Sequence, residues 1–146
     1  MPAAPPPSRL RRWLLAAAAG AILAFLLGAG WREVALRSLA ADWGAAHAAR
    51  DLAAMEALYC WEGVDAAERQ RIRLALLQEI EMPVAAVRGA RLSPSDRLPW
   101  GSRRPNLDPV GVLEVSFAVE DGLASRILVG RSGLRFRLVV LVPSGS

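Results

Sequence analysis

The hydropathy pattern of the chain is dominated by an uninterrupted apolar run near the N-terminus. The 17 residues from Leu14 to Gly30 carry no charged or strongly polar side chain, and Trp13 and Trp31 bracket them. A helix rises about 1.5 Å per residue, so this run with its flanking rings just crosses a hydrocarbon core of about 30 Å. Indole rings favour the membrane interface. The pattern therefore predicts a transmembrane anchor over residues 13–31.

Charges on the two sides of this run predict its orientation. Arg9, Arg11 and Arg12 precede it, whereas the first charges after it cancel. Basic residues are retained on the cytoplasmic side of a membrane segment. We therefore expect a cytoplasmic Pro- and Arg-rich stub over 1–12, a single pass through the inner (cytoplasmic) membrane of a bacterium, and an extracytoplasmic domain over 32–146.

A cleaved signal peptide is the alternative interpretation of the same segment. The basic start and the Ala-rich run fit it, and Ser38-Leu39-Ala40 offers small side chains for a cleavage site. However, the run exceeds the usual apolar region of about 7–15 residues, and Ser38 lies well beyond its end. We predict the uncleaved anchor and keep a secreted domain as the alternative.

Helical periodicity continues after the anchor. Over residues 32–50, apolar side chains recur at spacings of three and four, which places them on one face of a helix. They are Leu36, Leu39, Trp43 and Ala46. Asp51 has the side chain of a helix cap and predicts the start of a second, short helix, which Gly63 ends.

A third helix has the clearest start signal in the chain, Asp65-Ala-Ala-Glu68. In a capping box, Asp65 accepts a hydrogen bond from the backbone near Glu68, and Glu68 reaches back to the helix start. The apolar edge of this helix is formed by Ile72, Leu76 and Ile80. Pro83 predicts its end, because a proline disfavours a helical conformation in the residue before it.

After the third helix the period of the apolar residues changes to two, which is typical of strands. A short strand is predicted over 84–92, a Pro- and Arg-rich loop over 93–109, and a half-buried strand over 113–119. Asp121-Gly122 is a hairpin signal, and a further strand surrounds 127–129. The last strand is predicted to direct one set of apolar side chains to one face. They are Leu134, Phe136, Leu138, Val140 and Val142.

Helices that precede strands, with hairpin connections between the strands, indicate the α+β class. We predict an N-terminal transmembrane helix, then two or three helices packed on a mainly antiparallel sheet that ends in a three-strand meander.

Composition narrows the function classes. All 18 basic residues are arginine, and the 15 that follow the stub nearly balance the 14 acids. A nucleic-acid binder needs basic residues gathered on one face, so we predict no nucleic-acid partner. Cys60 is the only cysteine, which excludes an internal disulfide and favours a small buried side chain.

The order of helices and strands resembles the cone-shaped fold of the nuclear transport factor two-like superfamily, which includes the SnoaL-like proteins. The segment from Ala45 to Leu58 looks like the opening helices of that superfamily, with Arg50-Asp51 at the break between them. The resemblance covers residues 33–142 and implies a binding or assembly role. Enzymes of the superfamily direct acids, histidines or tyrosines into the cone, whereas the sheet positions here are apolar.

Two groups of residues are candidates for contact with other molecules. Trp43, His47, Tyr59 and Trp61 form a candidate pocket that offers an imidazole, a hydroxyl and indole N–H groups. Trp100, Arg103 and Arg104, in the 93–109 loop, form a candidate partner contact, since Trp and Arg are enriched in binding hot spots. Aromatic core packing and a variable surface insertion are the respective alternatives.

No segment matches a catalytic, phosphate-binding or metal-binding motif, and one His with one Cys cannot supply tetrahedral metal ligation. We predict a binding or assembly module without catalytic activity or cofactor. Its expected partners are membrane lipid through 13–31, and a membrane protein or a second copy. The alternative is a ligand carrier, or an enzyme that uses Tyr59, His47 or Asp51.

Overall fold

A computed structural model of the protein describes residues 9–97, 100–119 and 122–144. The chain divides after Val34 into two units, and the second unit extends from Ala35. The three helices are α1 (Arg9–Ala48), α2 (Leu52–Ala57) and α3 (Ala66–Glu79).

Most side chains of the predicted anchor, including those of 13–17 and 21–27, lie outside the described part of the structure. The first eight residues of the predicted stub also lie outside it. Within the described residues, no helix has both the length and the hydropathy of a membrane span.

The helix starts agree with the predicted caps. The carboxylate of Asp51 accepts a hydrogen bond from the Ala54 backbone N–H at 2.9 Å, at the start of α2. Asp65 accepts one from the Glu68 backbone N–H at 2.7 Å, at the start of α3. The second half of the predicted capping box is wrong, because the Glu68 carboxylate binds two arginines instead of the helix start.

Among the described residues of the second unit, six strands form two antiparallel sheets. The strands are β1 (Val84–Ala90), β2 (Arg103–Pro105), β3 (Pro109–Phe117), β4 (Ala124–Ser132), β5 (Arg135–Leu138) and β6 (Leu141–Pro143). The larger sheet has the order β1-β3-β4-β5, and β2 pairs with β6 in the smaller sheet. The α+β class and the three-strand meander β3-β4-β5 are thus confirmed.

The predicted last strand is wrong in one respect, because the chain changes sheets within it. Val139 still donates its N–H to Leu128 of the larger sheet, but Val140 exchanges two hydrogen bonds with Asn106, each at 2.9 Å. Residues after that point pair with β2 instead of β4. Leu134 also departs from the prediction, because it lies in the β4–β5 turn and is 82% exposed.

The 93–109 segment is likewise more regular than a loop. Pro94–Arg97 forms a 3₁₀ turn, and Arg103–Pro105 is strand β2. This strand was not predicted because it has only three residues, and a period of two is recognised only over several alternating residues.

The core of the second unit lies between the helices and the inner face of the larger sheet. The apolar stripe of α1 is buried as predicted, and Trp43 at its centre is fully buried. Core residues from the other elements include Met55, Leu76, Leu113, Val115, Phe117, Val129 and Leu138.

Helix α1 approaches the sheet most closely where two strands carry glycine. A Cβ atom at Gly89 would lie 2.6 Å from Leu36 Cβ and 2.9 Å from the Leu36 carbonyl carbon and oxygen. A Cβ atom at Gly111 would lie 2.9 Å from the end of the same leucine side chain. Any larger residue at Gly89 would therefore collide with helix backbone, which cannot move aside as a side chain can.

We predict that Gly89→Ala lowers the free energy of unfolding by about 1–3 kcal/mol or more, because it overpacks the contact with Leu36. Gly44→Ala is the matched control on α1, since its Cβ would meet nothing closer than Val87 at 4.0 Å. That control should stabilise by about 0.5–1 kcal/mol through helix propensity. Urea unfolding of the full chain in detergent, followed by tryptophan fluorescence, measures both. Equal midpoints for Gly89→Ala and the wild type would contradict this packing.

Candidate functional site

A cavity of about 250 Å³ lies between α3 and the chain around β6. Its apolar walls come from Ile72, Ala75, Leu76, Val139, Val140 and Leu141. Its polar lining consists of Tyr59, Glu68, Arg71, Glu79 and Arg103. A small concave site with apolar walls and a few polar groups is the usual form of a ligand pocket.

Glu68 is the electrostatic centre of this cavity. Its buried carboxylate accepts hydrogen bonds from Arg71 Nε at 3.0 Å and from Arg103 Nη2 at 2.8 Å. The hydrogen bond from Arg71 lowers the pKa of Glu68, and Arg103 adds to that effect against the opposing influence of burial. The carboxylate therefore stays ionised, and the two guanidinium groups leave this cluster with a net charge of one positive unit.

Tyr59 contributes its side chain to the lining of the cavity. The residue is 9% exposed and lines the cavity, yet its hydroxyl makes no hydrogen bond within the part of the chain that the structure describes. Burial, with a smaller contribution from Glu79, raises the pKa of Tyr59. The phenol therefore remains protonated at neutral pH and can both donate and accept a hydrogen bond.

Glu79 is the second acid of the cavity, and its environment differs from that of Glu68. Burial raises the pKa of Glu79, while the nearby His47 opposes that shift. His47 Nε2 donates to the backbone carbonyl of Glu79 at 3.0 Å, which fixes the imidazole ring against the end of α3.

The four residues of the predicted pocket occupy two places. Trp43 stacks on His47 with ring centroids 5.1 Å apart, and Tyr59 lies 5.4 Å from Trp61. The Trp61 indole N–H donates to the Glu56 carbonyl at 2.9 Å. Tyr59 is the member of this group that lines the cavity; the other three are not among its lining residues.

The predicted partner contact is divided in the same way. Arg103 lines the cavity and binds Glu68, whereas the neighbouring Arg104 is exposed on β2. Trp100 lines a second cavity of about 340 Å³, together with Leu92, Arg97, Pro105, Asp108 and Pro109.

Three residues of the site region were not recognised from the sequence. Glu68 was assigned to a capping box, and no role was predicted for Arg71. Asn106 holds the cavity walls together, since its side-chain amide donates to the carbonyls of Cys60 at 2.8 Å and Glu62 at 3.0 Å. Each role depends on a partner distant in sequence, so no local pattern indicates it.

Catalytic candidates are not brought together in the described residues. Asp51 caps α2, His47 binds a backbone carbonyl, and no hydrogen bond joins either to Tyr59 there. Over the same residues, no three His, Cys, Asp or Glu side chains are grouped as metal ligands would be. Cys60 is buried, as predicted.

Comparison with known proteins gives no further constraint, since no protein family, curated protein or solved structure matches the chain.

We predict that Arg103→Ala lowers the free energy of unfolding by roughly 1–3 kcal/mol at neutral pH, because it removes one partner of a buried carboxylate. Arg104→Ala is the matched control: it is an adjacent exposed arginine, and its cost should stay within about 0.5 kcal/mol. Urea unfolding of the three proteins as a function of pH measures the difference.

The pH dependence follows from the lowered pKa of Glu68. A depressed pKa stabilises the folded chain above the unfolded value, about 4.3, and this contribution is lost as the pH falls through the folded value. The cost of Arg103→Ala should therefore shrink in acid. A cost independent of pH, or equal costs for Arg103→Ala and Arg104→Ala, would contradict the ion pair.

Proposed function

We propose that the protein is a membrane-anchored extracytoplasmic binding module that holds a small amphiphilic carboxylate in the cavity between α3 and β6, without transforming it. The observation that carries this proposal is a cavity whose lining combines the side chain of Tyr59, two arginines and apolar walls. The phenol hydroxyl can donate a hydrogen bond to a ligand oxygen, and the guanidinium groups of the two arginines add charged donors.

The charge and size of the cavity define the ligand class. Arg71 and Arg103 can bind a carboxylate with the parallel N–H groups of a guanidinium, as they already bind Glu68. The apolar walls of Ile72, Leu76 and Val140 suit a short aliphatic chain. A volume of about 250 Å³ is below the range of about 300–1,000 Å³ for drug-sized ligands, so the ligand is small.

A binding role fits the ionisation states better than catalysis does. Glu68 is held as a carboxylate by two arginines, and Tyr59 is held as a phenol by burial. Neither group has a pKa moved towards neutrality, as general acids and bases require. Burial does raise the pKa of Glu79, but within the described residues no hydrogen bond joins its carboxyl group to Tyr59 or Glu68. The resemblance to the nuclear transport factor two-like superfamily implies a binding or assembly role, which agrees with this proposal.

The location of the module is also part of the proposal. Its support is the 17-residue apolar run with flanking tryptophans and three preceding arginines. The topology predicted by these arginines places the cavity outside the cytoplasm, where it would meet ligands from the envelope or the surroundings.

We predict that the full chain in detergent binds hexanoate, and that Ala75→Leu weakens this binding by about tenfold, or 1.4 kcal/mol. Ala75 lines the cavity on the exposed side of α3, so leucine there fills the space without disturbing the core. Ala67→Leu is the matched control, an exposed position of the same helix outside the cavity. Isothermal titration calorimetry measures the affinities.

Two further titrations test the chemistry of the site. Tyr59→Phe should weaken hexanoate binding, and hexanol should bind less tightly than hexanoate because it lacks the charge that the arginines recognise. Equal affinity for hexanol and hexanoate would contradict the carboxylate, and equal affinities of Ala75→Leu and Ala67→Leu would contradict the cavity.

A further inference from the structure

The β4–β5 hairpin presents the most exposed large apolar side chain in the described part of the chain. Leu134 lies in its turn and is 82% exposed. The preceding Gly133 has a positive φ of 60°, which sets the tight reversal. Strand β3 begins at Pro109 opposite Gly130, so the last two residues of β4 and the turn extend beyond the neighbouring strand. Leu134 therefore lies at the tip of a hairpin that extends beyond the neighbouring strand β3.

Arginines flank this leucine on both strands of the hairpin. Arg131 and Arg135 are exposed, and Arg131 Nε donates to the Gly133 carbonyl at 2.8 Å, which holds its side chain beside the turn. Arg91, directly after β1, is exposed at the same end of the sheet, because Ala90 pairs with Val112 near the start of β3.

The second cavity opens at this end as well, since Pro109 and Leu92 line it with Trp100. The acid of that lining is Asp108, which shares the cavity with Arg97. Asp96, in the same 3₁₀ turn as Arg97, is already paired with Arg126 at 2.9 Å. We call this region, with Leu134, Arg91, Arg131, Arg135 and Trp100, the hairpin end of the sheet.

Helix α1 enters the second unit at the hairpin end. Leu36 packs over Gly89 and Gly111, the end of β1 and the start of β3, and Gly44 lies near Val87, further along the sheet. The apolar run ends at Gly30, six residues before Leu36. Six residues span at most about 20 Å in any conformation. Along the chain, the proposed anchor therefore ends within that length of Leu36.

We propose that the hairpin end docks on the anionic lipid surface around the anchor, with Leu134 inserted among the headgroups and Arg91, Arg131 and Arg135 against lipid phosphates. The proposal rests on the proposed anchor. An apolar tip with flanking arginines has the composition of interfacial segments, and tryptophan is enriched at the same depth. Basic residues near an anionic surface add attraction that falls off within a Debye length.

The opposite end of the sheet carries a different combination of residues. Its β3–β4 hairpin also exposes apolar side chains, Val119 and Leu123, but the sequence between them carries the acids Glu120 and Asp121. An anionic surface repels such a hairpin. The two hairpins of one sheet therefore form a matched pair of test and control positions.

The test places a nitroxide spin label at each hairpin of the full chain, in a Cys60→Ala background. Leu134→Cys carries the test label and Leu123→Cys the control label, in vesicles of phosphatidylcholine with phosphatidylglycerol. Power saturation compares collisions with oxygen, which concentrates in lipid, and with a water-soluble nickel chelate. We expect the ratio of oxygen to nickel collisions to be several-fold higher at 134 than at 123.

The charge dependence gives a second readout of the same label. The ratio at 134 should fall when Arg131→Gln and Arg135→Gln are added, and when phosphatidylglycerol is omitted. A carbonate wash of the same vesicles tests the anchor separately. If the chain stays in the vesicles and label 134 is as aqueous as label 123, the docking proposal is overturned and the anchor stands. If the wash releases the chain, both are overturned.

Discussion

The contact of Leu36 with Gly89 and Gly111 is the constraint on which the rest of the second unit depends. Because neither glycine has a side chain, the Leu36 backbone comes close to strand β1 at Gly89, and the end of the Leu36 side chain comes close to strand β3 at Gly111. That proximity lets the next turns of α1 bury Trp43 completely against the sheet. Without it, the helix would stand further away and leave voids around the largest core side chain, which close-packed interiors do not tolerate.

A second set of contacts, between polar groups, joins the elements that line the cavity. Asn106 joins the chain at Val140 to the carbonyls that follow α2, and Arg103 joins β2 to Glu68 on α3. Both links are polar. Arg103 belongs to strand β2, and Asn106 directly follows that strand. The walls of the cavity are thus held by these directed bonds together with core packing, since Leu76 and Val140 also belong to the buried core.

Local features of the fold could be predicted from the sequence, and features that depend on distant partners could not. Asp51 and Asp65 were recognised because a cap acts within three residues. The apolar stripe around Trp43 was recognised because one helix face shows its period. The alternation of apolar residues across 138–142, however, is the same whether these residues form one strand or two strands in different sheets. The change of sheet occurs where Val140 binds Asn106, which is 34 residues away in the sequence. Likewise, no local sequence pattern indicates the pairing of Glu68 with Arg103, which are 35 residues apart.

The most direct test of the account is nuclear Overhauser spectroscopy of the full chain in detergent micelles, with the Leu36 methyl groups and the glycine α-protons assigned. The packing described predicts cross-peaks from Leu36 to the α-protons of both Gly89 and Gly111, because a single leucine lies over the two strands at once. Cross-peaks to neither glycine, with all these signals resolved, would contradict the placement of α1 on the sheet. The cavity and the hairpin end would then lose the framework that positions them.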